Sequence, residues 1–502
     1  MTRAIGRSLL LGPGLLLFIV AVPIPLIALA ERSIALGPSG GGWEWLTVRE
    51  WGLFGYSVRL AAVAAVTGVL LSLPAAYVVG RIGRPFRHPI LGAMLLAPLL
   101  LPPMVYVFGW GRFQLAGSLD EGLCVWVWAS WLWPIPALLI GTTWARRGRD
   151  AYQAAVLDTS PGRAFATVVL PLLAGAAGAG GLAVFTLCLT EYSVPHACGL
   201  TVLATAMLGD EMHSGHPADV LRLAWPLLAV VVLALGALYA IWRRRSPYEG
   251  DDAPSALPDA RRGRLLGLVL LVDLVTVVLP VLALISRLPS LAPMKGALRT
   301  YATELWTSVA IAAAAGVAAV WMGLSVIAHR RLRPLVVVGA LTFGVLPAAL
   351  VGHAVLTAYL PVGFVYNTWL LLALGYLARF GWIGVLIGWL AWRSAGSDVV
   401  AQARTDGADE FAITFHLRYR PSIALLLCGV AVVAAMSLAD VALPSLLTVP
   451  GIAPISGTLI EKFHRFEDEM LVSLSLWLVA GALPAAVLGW AALRLRRREI
   501  ND

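Results

Sequence analysis

The chain has 502 residues, of which 59% are hydrophobic and 13% are charged, and it carries a formal net charge of +9 at pH 7. Soluble domains contain about 25% charged and about 45–50% apolar residues, so this composition excludes an ordinary soluble protein. In a soluble protein such a charge would suggest nucleic-acid binding, but here the basic residues lie at the ends of apolar stretches and indicate membrane topology, so we expect no nucleic-acid partner.

Apolar stretches long enough to cross a lipid bilayer recur twelve times along the chain. A transmembrane helix needs roughly 20 mostly apolar residues. The first stretch follows Arg3 and Arg7 as a signal peptide would, but its apolar run is too long and no clear cleavage site follows, so we interpret it as a retained helix. The sequence predicts an all-α polytopic membrane protein of about 12 transmembrane helices. The predicted spans are 9–30, 53–80, 89–110, 122–144, 168–190, 222–242, 265–286, 301–328, 334–360, 367–392, 420–440 and 470–493.

The basic residues predict the orientation of these spans. With the N-terminus in the cytoplasm, about 26 of the 37 Lys and Arg residues fall in cytoplasmic loops and about nine fall outside, which satisfies the positive-inside rule. A change of one in the number of spans would destroy this pattern. We therefore expect a multi-pass protein of the bacterial inner (plasma) membrane with both termini in the cytoplasm.

The most polar segment of the chain, residues 243–264, divides the predicted spans into six and six. It is rich in Pro and in charges of both signs, which is typical of a linker, and we place it in the cytoplasm. The sequence therefore predicts a first half at 1–242 with its core at 53–242. The second half follows at 265–502 with its core at 301–493.

Matching features recur in the two halves at an offset of roughly 245 to 251 residues, which indicates duplication and fusion. Each half has a long cytoplasmic loop between its fourth and fifth spans, and the span after that loop ends in an acidic residue with Pro four positions later. The matched features are Ser57-Val58 with Ser308-Val309, Leu101-Pro102 with Leu346-Pro347, loop 145–167 with loop 393–420, and Glu191 and Pro195 with Asp440 and Pro444.

The two long loops also carry a pattern that places the chain near a known family. They contain QAAVLDTSPGRAF and AQARTDGADEFAI, and their Ala, Gln, Leu and Arg residues around an Asp favour a short helix. These segments resemble the EAA motif, roughly E-A-A-x-x-x-G followed by I-x-L-P, of the permeases of binding-protein-dependent ATP-binding-cassette (ABC) importers. The matching residues are Gln153, Ala154, Ala155, Asp158 and Arg163 in the first loop and Ala403, Arg404, Asp406 and Gly407 in the second.

Each copy departs from the motif at a different place. The first lacks the central Gly, and its downstream part is one residue short. In the second, Ala401 stands where Glu is expected, and RYRP at 418–421 replaces the Leu-Pro sequence. Two copies in one chain of this length resemble the fused permeases of the ferric-iron and thiamine type.

The resemblance implies a transport function and a set of partners. Each loop would form a coupling helix that docks on one of two ABC ATPase subunits, and a periplasmic or extracellular solute-binding protein would deliver the solute. The chain contains no GxxxxGK[ST] phosphate-binding loop, so the ATPase must be a separate protein and the chain itself would not be an enzyme. Ferric iron is the favoured solute, followed by thiamine or a phosphonate, and no cofactor is implied.

Ionisable residues inside predicted spans are candidates for the transport pathway. An ionised side chain at the centre of a span costs about 2.5–3.5 kcal/mol on insertion scales, so such residues are functional candidates by default. Asp273, Arg59, Arg379 and His353 meet this criterion, and Arg59 and Arg379 would either line a route for an anionic solute or pair with other groups. The corners formed by Glu191 with Pro195 and by Asp440 with Pro444 would shape an outer gate. The four cysteines show no spacing typical of a metal site or of a disulfide framework.

Two other functions fit parts of the sequence. A secondary transporter driven by an ion gradient could also have two similar halves, and GRIGRPFRHP between the second and third spans is similar to the Gly/Arg motif of the major facilitator class without its acid. A lipid-linked glycosyltransferase would need paired carboxylates in its first outer loop. Glu31, Glu44 and Glu50 lie there without a DxD-like pair.

Overall fold

The structure is a computed structural model that describes residues 2–37, 46–82, 88–113, 120–214, 217–244, 259–329, 333–448, 451–465 and 467–481. All secondary structure in these ranges is helical. Up to the polar linker, the α-helices are α1 (Thr2–Ala21), α2 (Pro23–Leu36), α3 (Val48–Ile82), α4 (Pro89–Leu100), α5 (Pro103–Trp110), α6 (Asp120–Leu132), α7 (Pro134–Thr143), α8 (Arg149–Asp158), α9 (Pro161–Ala164), α10 (Leu170–Thr190), α11 (Ser193–Ala197), α12 (Leu203–Ser214) and α13 (Pro217–Arg244).

The part of the chain after the linker has the same character. Its α-helices are α14 (Asp259–Asp273), α15 (Leu279–Ile285), α16 (Ala292–Thr300), α17 (Ala302–Ala328), α18 (Arg333–Gly344), α19 (Ala348–Tyr359), α20 (Gly363–Tyr366), α21 (Leu370–Trp392), α22 (Ser397–Thr405), α23 (Glu410–Ala412), α24 (Ile423–Ala439), α25 (Ala442–Leu447) and α26 (Ile455–His464). Residues 468–481 are also helical. Most of the predicted linker lies outside the described residues, between the end of α13 and the start of α14.

The lengths and apolar character of the helices confirm the predicted all-α polytopic membrane protein. Within the described residues, eight continuous helices are long and apolar enough to span a bilayer, and the number rises to 11 if each of three bent helix pairs counts as one span. The predicted twelfth span, 470–493, is helical as far as residue 481, and the rest of it lies outside the described residues.

Three predicted spans are broken, which corrects the expectation of single straight helices at 89–110, 122–144 and 334–360. The breaks bend the chain by 81° between α4 and α5, by 46° between α6 and α7, and by 113° between α18 and α19. Proline lies at each break, because its ring removes a backbone donor and clashes with the preceding turn. Pro102 and Pro347 adopt nearly the same extended conformation, with φ and ψ of −58° and 134° and of −53° and 139°.

The described helices form two compact units that do not follow the sequence order. One unit contains Thr47–Leu203 and Pro226–Arg287, and the other contains Met1–Leu46, Ala204–Trp225 and Leu288–Asp502. In the former, α14 and α15 from beyond the linker pack against α3, α4 and α5. In the latter, α1 and α2 pack against α17 and α19. The first helices of each sequence half therefore belong to the unit built mainly from the other half.

Glycines allow α17 and α21 to approach closely in the unit that contains them. A Cβ atom added at Gly384 would overlap the carbonyl group of Ala319, and one added at Gly323 would overlap the carbonyl group of Gly384. Small residues at such positions let helix backbones approach each other, which is how membrane helices gain packing energy without help from water.

We expect Gly384→Val to destabilise this helix pair, because the new side chain must push α17 and α21 apart. Overpacking of this kind typically costs about 1–3 kcal/mol. The measurement is the thermal unfolding midpoint of the purified protein in detergent. Gly236→Val on α13 is the matched control, because a Cβ there meets no atom within 4 Å. Equal midpoints for the two variants would contradict the close approach.

Candidate functional site

The first predicted coupling loop contains a short helix between two wider turns. Its helix α8 follows a π-helical turn at Trp144–Gly148, and after α9 a second π-helical turn occupies Phe165–Val169. Turns of this kind are rare and frequently lie at functional sites. The helix ends at Asp158 because Thr159 is extended, with φ −150° and ψ 173°, and Pro161 then starts α9.

The matching residues of this loop are largely open to solvent. Gln153, Ala154, Asp158 and Arg163 are exposed, and Ala155 is half-buried. Leu157, between them, is 87% exposed, which is unusual for so large an apolar side chain on a polar loop. The motif comparison did not single out Leu157. Its position next to Asp158, within the first motif copy, could have identified it as part of the same surface. Together these residues form a surface that is small, partly apolar and accessible to a partner.

The helix of the second loop ends with a glycine cap. Helix α22 ends at Thr405, and Gly407, two residues later, has a φ of +83°. The Ala408 N–H donates to the Ala403 carbonyl at 2.9 Å, and the Gly407 N–H donates to the Arg404 carbonyl at 3.1 Å. This pair of bonds is a Schellman cap, and glycine suits its left-handed residue because a Cβ would be strained there. The glycine of the motif therefore sets the direction in which the chain leaves the helix.

Polar contacts hold the segment after this cap. The Asp409 carboxylate accepts a hydrogen bond from the Ala412 N–H at 2.7 Å and caps α23. The Arg404 Nε lies 2.8 Å from Glu410 Oε1, so the end of α22 is paired with the start of α23. Both partners are about half exposed, and such surface pairs contribute little to stability. Sequence reasoning placed Arg404, Asp406 and Gly407 here but missed Asp409 and Glu410.

The first acid–proline corner is built around a buried carboxylate. Glu191 follows α10 directly, and its carboxylate accepts hydrogen bonds from the N–H groups of Ser193 at 2.6 Å and Val194 at 3.0 Å and from the Ser193 hydroxyl. The Trp128 indole N–H also donates to it, at 3.0 Å. These donors satisfy a carboxylate that would otherwise be costly to bury. Glu191 thus caps α11, in which Pro195 is the third residue.

The second corner repeats this arrangement with a different partner. Asp440 follows α24, and its Oδ1 accepts from the Leu443 N–H at 2.9 Å at the start of α25, where Pro444 is the third residue. Its Oδ2 lies 2.7 Å from the Arg379 Nε, and the two side chains are 4% and 13% exposed. The Arg379 Nη1 is buried with no hydrogen-bond partner among the described residues. In this corner the acid forms an ion pair with a guanidinium, whereas in the first corner it accepts a hydrogen bond from a neutral indole.

A serine side chain fixes a second point of the segment that follows each acid–proline corner. The Ser57 hydroxyl accepts a hydrogen bond from the Leu203 N–H at 2.9 Å, at the start of α12. The Ser308 hydroxyl accepts one from the Ile455 N–H at 2.8 Å, at the start of α26. Both serines also donate to the carbonyl group four residues earlier. The sequence comparison matched Ser57 with Ser308 without assigning them this role.

Helix α26 is held further by a charged pair outside the spans. Lys462 lies 3.0 Å from the Glu467 carboxylate. Hydrogen bonding to Glu467, and then to Tyr301, raises the pKa of Lys462. The ammonium is therefore charged at neutral pH and contributes to the fixed geometry of this segment.

The other ionisable candidates lie in different surroundings. The Arg59 guanidinium donates to both oxygens of Glu121 at 2.9 Å, and these side chains are 59% and 42% exposed. Asp273 is buried at the end of α14, and its Oδ1 has no hydrogen-bond partner among the described residues. His353 is buried on α19. Roles for Arg59, Arg379 and Asp273 in a pathway remain predictions.

The chain is similar to two curated proteins that carry the same name. They are the "Molybdenum transport system permease protein ModB" of Mycobacterium bovis and that of Mycobacterium tuberculosis. Each is 31% identical over 247 residues, which covers 44% of this chain and 88% of the relative. Each relative therefore corresponds to about half of the chain. No protein-family model and no solved structure matches it.

We expect Asp440→Asn to destabilise the second corner strongly. The amide keeps an oxygen for the Leu443 N–H, but it leaves the buried Arg379 guanidinium without a counter-charge. Removing one partner of a buried ion pair typically costs about 3–5 kcal/mol. The measurement is unfolding of the purified protein in detergent by heat or denaturant.

Two further variants test whether the pair itself is responsible. Glu121→Gln removes the carboxylate from the exposed pair with Arg59 and should change stability by about 1 kcal/mol or less. Combining Asp440→Asn with Arg379→Gln should recover part of the loss, because the unpaired charge is then gone. If the double variant lost as much as the sum of its single changes, the two side chains would not be coupled.

Proposed function

Because this chain belongs to the permeases of ABC importers, we propose that it forms the transmembrane pathway for a small solute and that a separate ATPase powers its opening. The observation that carries the proposal is the pair of short exposed helices, α8 and α22, in corresponding loops of the two sequence halves. Both carry the residues that resemble the EAA motif. The chain acts as the membrane subunit of a transporter and takes its energy from ATP hydrolysis in its partners.

Helices α8 and α22 are the docking elements for two ATPase subunits, one for each helix. Ala154 and Ala403 permit close approach, and Leu157 offers an apolar anchor on the first helix. The connections to the spans are short and continuous, because α22 passes through the Gly407 cap and the Asp409-capped α23 into a π-helical segment at Ile413–Tyr419 and then α24. A displacement of the docked helix is thereby transmitted to the span.

The two sequence halves are duplicated permease units that have been fused. Support comes from matching details in both: the break after Leu-Pro, the carboxylate that caps a five- or six-residue helix, and the serine that accepts from a backbone N–H. The relatives, which correspond to half of this chain, fit the same reading. One chain would then serve both ATPase subunits, with its termini and coupling loops in the cytoplasm.

The acid–proline corners belong to the opposite, outer side. They hold α11 and α25 at the ends of α10 and α24, where segments that face a solute-binding protein would open or close the pathway. Each short helix packs against the second part of a broken span and the helix after it, α5 and α6 in one unit and α19 and α21 in the other. A shift of the spans would move these corners directly. Arg379, with a buried nitrogen that lacks a partner, is the best placed of the candidate residues to meet an anionic solute.

Molybdenum is the first solute to test, because both similar proteins are permeases of molybdenum transport systems. In neutral water it exists as an oxyanion, which fits the candidate role of Arg379. Ferric iron, favoured by the resemblance to fused permeases, is the second. The identity of the solute depends largely on the binding protein that docks on the outer side.

We expect the double variant Asp406→Ala with Gly407→Ala to uncouple transport from ATP hydrolysis while leaving membrane insertion intact. Alanine in the left-handed conformation costs about 1–3 kcal/mol, so the cap would rearrange and redirect the end of α22. In proteoliposomes with its ATPase and binding protein, solute uptake per ATP hydrolysed should fall by about tenfold, the equivalent of about 1.4 kcal/mol.

Gly396→Ala is the matched control for this experiment. It lies in the same loop with φ −61°, and a Cβ there meets no atom within 4 Å. Its uptake per ATP should equal that of the unchanged protein. A double variant that transports with the normal ratio would contradict the coupling role of α22.

We also expect ATP-dependent accumulation of molybdate by the reconstituted complex. Elemental mass spectrometry of the liposomes measures the accumulated metal, with ferric iron tested in parallel and with a catalytically inactive ATPase as the control. Accumulation of ferric iron alone would reverse the order of the two solutes. Uptake by the chain alone, driven by an ion gradient, would contradict the ABC importer function itself.

A further inference from the structure

Two arginines contact one tryptophan beside the second coupling loop. Trp392 ends α21, and the Arg418 guanidinium carbon lies 3.6 Å from the centroid of its ring. The guanidinium carbon of Arg333, at the start of α18, lies 4.9 Å from the same ring. Cation–π contacts of this kind stabilise each arginine separately. They also bring two like charges close to each other.

Arg418 is buried beside two other positive charges and one carboxylate. Arg418 is only 8% exposed, and its Nε is buried without a hydrogen-bond acceptor among the described residues. Arg333 and Arg404 act on it as neighbouring positive charges, and Glu410 is the carboxylate that acts on it. Glu410 is already paired with Arg404 at 2.8 Å. A buried charge is costly without a counter-charge of its own, so an additional anion would stabilise Arg418.

The cluster lies at the ends of two candidate membrane spans. The apolar helical run Glu410–Ala439 has 30 residues. At a rise of about 1.5 Å per residue it is about 45 Å long, whereas the hydrocarbon core is about 30 Å thick. The run is therefore longer than the hydrocarbon core, and Arg418 is its ninth residue. Trp392 ends the preceding span on the same side, because residues 393–409 connect the two.

The arginine is a departure of this chain from the importer motif. In the I-x-L-P part of the pattern, Arg418 occupies the place of the isoleucine, and the first loop has the apolar Val168 at its corresponding position. Apolar side chains that are well exposed lie nearby along the same helices, Leu390 before Trp392 and Phe415 and Ile423 on either side of Arg418. Lipid acyl chains would cover such side chains next to a headgroup.

We propose that Arg418 and Arg333, stacked on Trp392, bind the phosphate of an anionic phospholipid of the leaflet that faces the second coupling loop. Arginine presents several donors that match phosphate oxygens, and an aromatic ring holds its plane in place. A lipid is favoured over a carboxylate of the ATPase because the cluster lies at span ends, next to exposed apolar side chains that acyl chains would cover. The assignment to the cytoplasmic leaflet rests on the proposed function, whereas lipid binding itself does not.

Native mass spectrometry of the purified chain tests this site with phosphatidylglycerol as the probe and phosphatidylcholine as the uncharged comparison. Arg418→Ile restores the residue of the importer motif and should weaken phosphatidylglycerol binding by about fivefold or more, since one basic residue near an anionic surface contributes about that factor. Arg420→Ile, two positions along and exposed, is the matched control and should bind as the unchanged protein does.

A second readout is the shift in the unfolding midpoint that the lipid causes. It can be compared between variants even if a substitution changes the stability of the protein without lipid. Phosphatidylglycerol should raise the unfolding midpoint of the unchanged protein and of Arg420→Ile, and it should raise that of Arg418→Ile much less. Arg418→Lys, which keeps the charge, should restore part of the effect. Equal protection by millimolar inorganic phosphate would assign the site to a free anion instead of a lipid.

Two results would overturn the proposal. One is equal binding of phosphatidylglycerol to the unchanged protein and to Arg418→Ile. The other is loss of ATPase co-purification in Arg418→Ile with no change in lipid binding, which would assign the cluster to a protein partner. Neither readout requires transport activity, so a failure here is distinguishable from a failure of the proposed importer function.

Discussion

The architecture depends on one constraint: inside a bilayer, every backbone N–H and carbonyl group must find its hydrogen-bond partner within the protein. Continuous helices meet it by themselves, so the informative places are those where a helix stops. At the bend between α4 and α5, the Tyr106 hydroxyl donates to the Pro98 carbonyl at 3.1 Å. At the two acid–proline corners a carboxylate accepts from the first backbone donors of the next short helix. At these three places a side chain supplies a hydrogen-bond partner that the interrupted helix lacks.

The same scaffold carries different charges in its two units. In the first corner, backbone N–H groups and the Trp128 indole donate hydrogen bonds to the carboxylate. The second adds the Arg379 guanidinium, which brings a positive charge into a buried position, with one nitrogen that has no hydrogen-bond partner in the described part of the chain. If the halves arose by duplication, the geometry of the corner was kept while its electrostatics diverged. The second predicted coupling loop follows the same pattern. Its Arg418, which stacks on Trp392, has the apolar Val168 at the corresponding position of the first half.

The two predicted coupling loops end their helices with different local chemistry. A helix that docks on a partner must end at a defined point so that force reaches the adjoining span. The second loop achieves this with a left-handed glycine and a Schellman cap, and the first uses an extended Thr159 followed by Pro161. Both solutions leave the helix exposed and lead within a few residues into a π-helical turn. The two copies of the motif differ in sequence, but both form a short exposed helix with a defined end.

The sequence by itself determined the features that depend on local composition and length. Apolar runs predicted the approximate bounds of most spans, and the paired loops indicated short helices. The sequence matched the two Leu-Pro dipeptides as a repeat but did not predict that the chain bends there. Only the tertiary structure decided which groups meet. Arg379 pairs with Asp440 across 61 positions, Ser308 meets the N–H of Ile455, and the first helices of each half pack in the unit built mainly from the other. Apolar helices can be covered equally well by many partners, and a charged side chain carries no sequence signal of its counter-charge, so these choices are made only when the helices pack together.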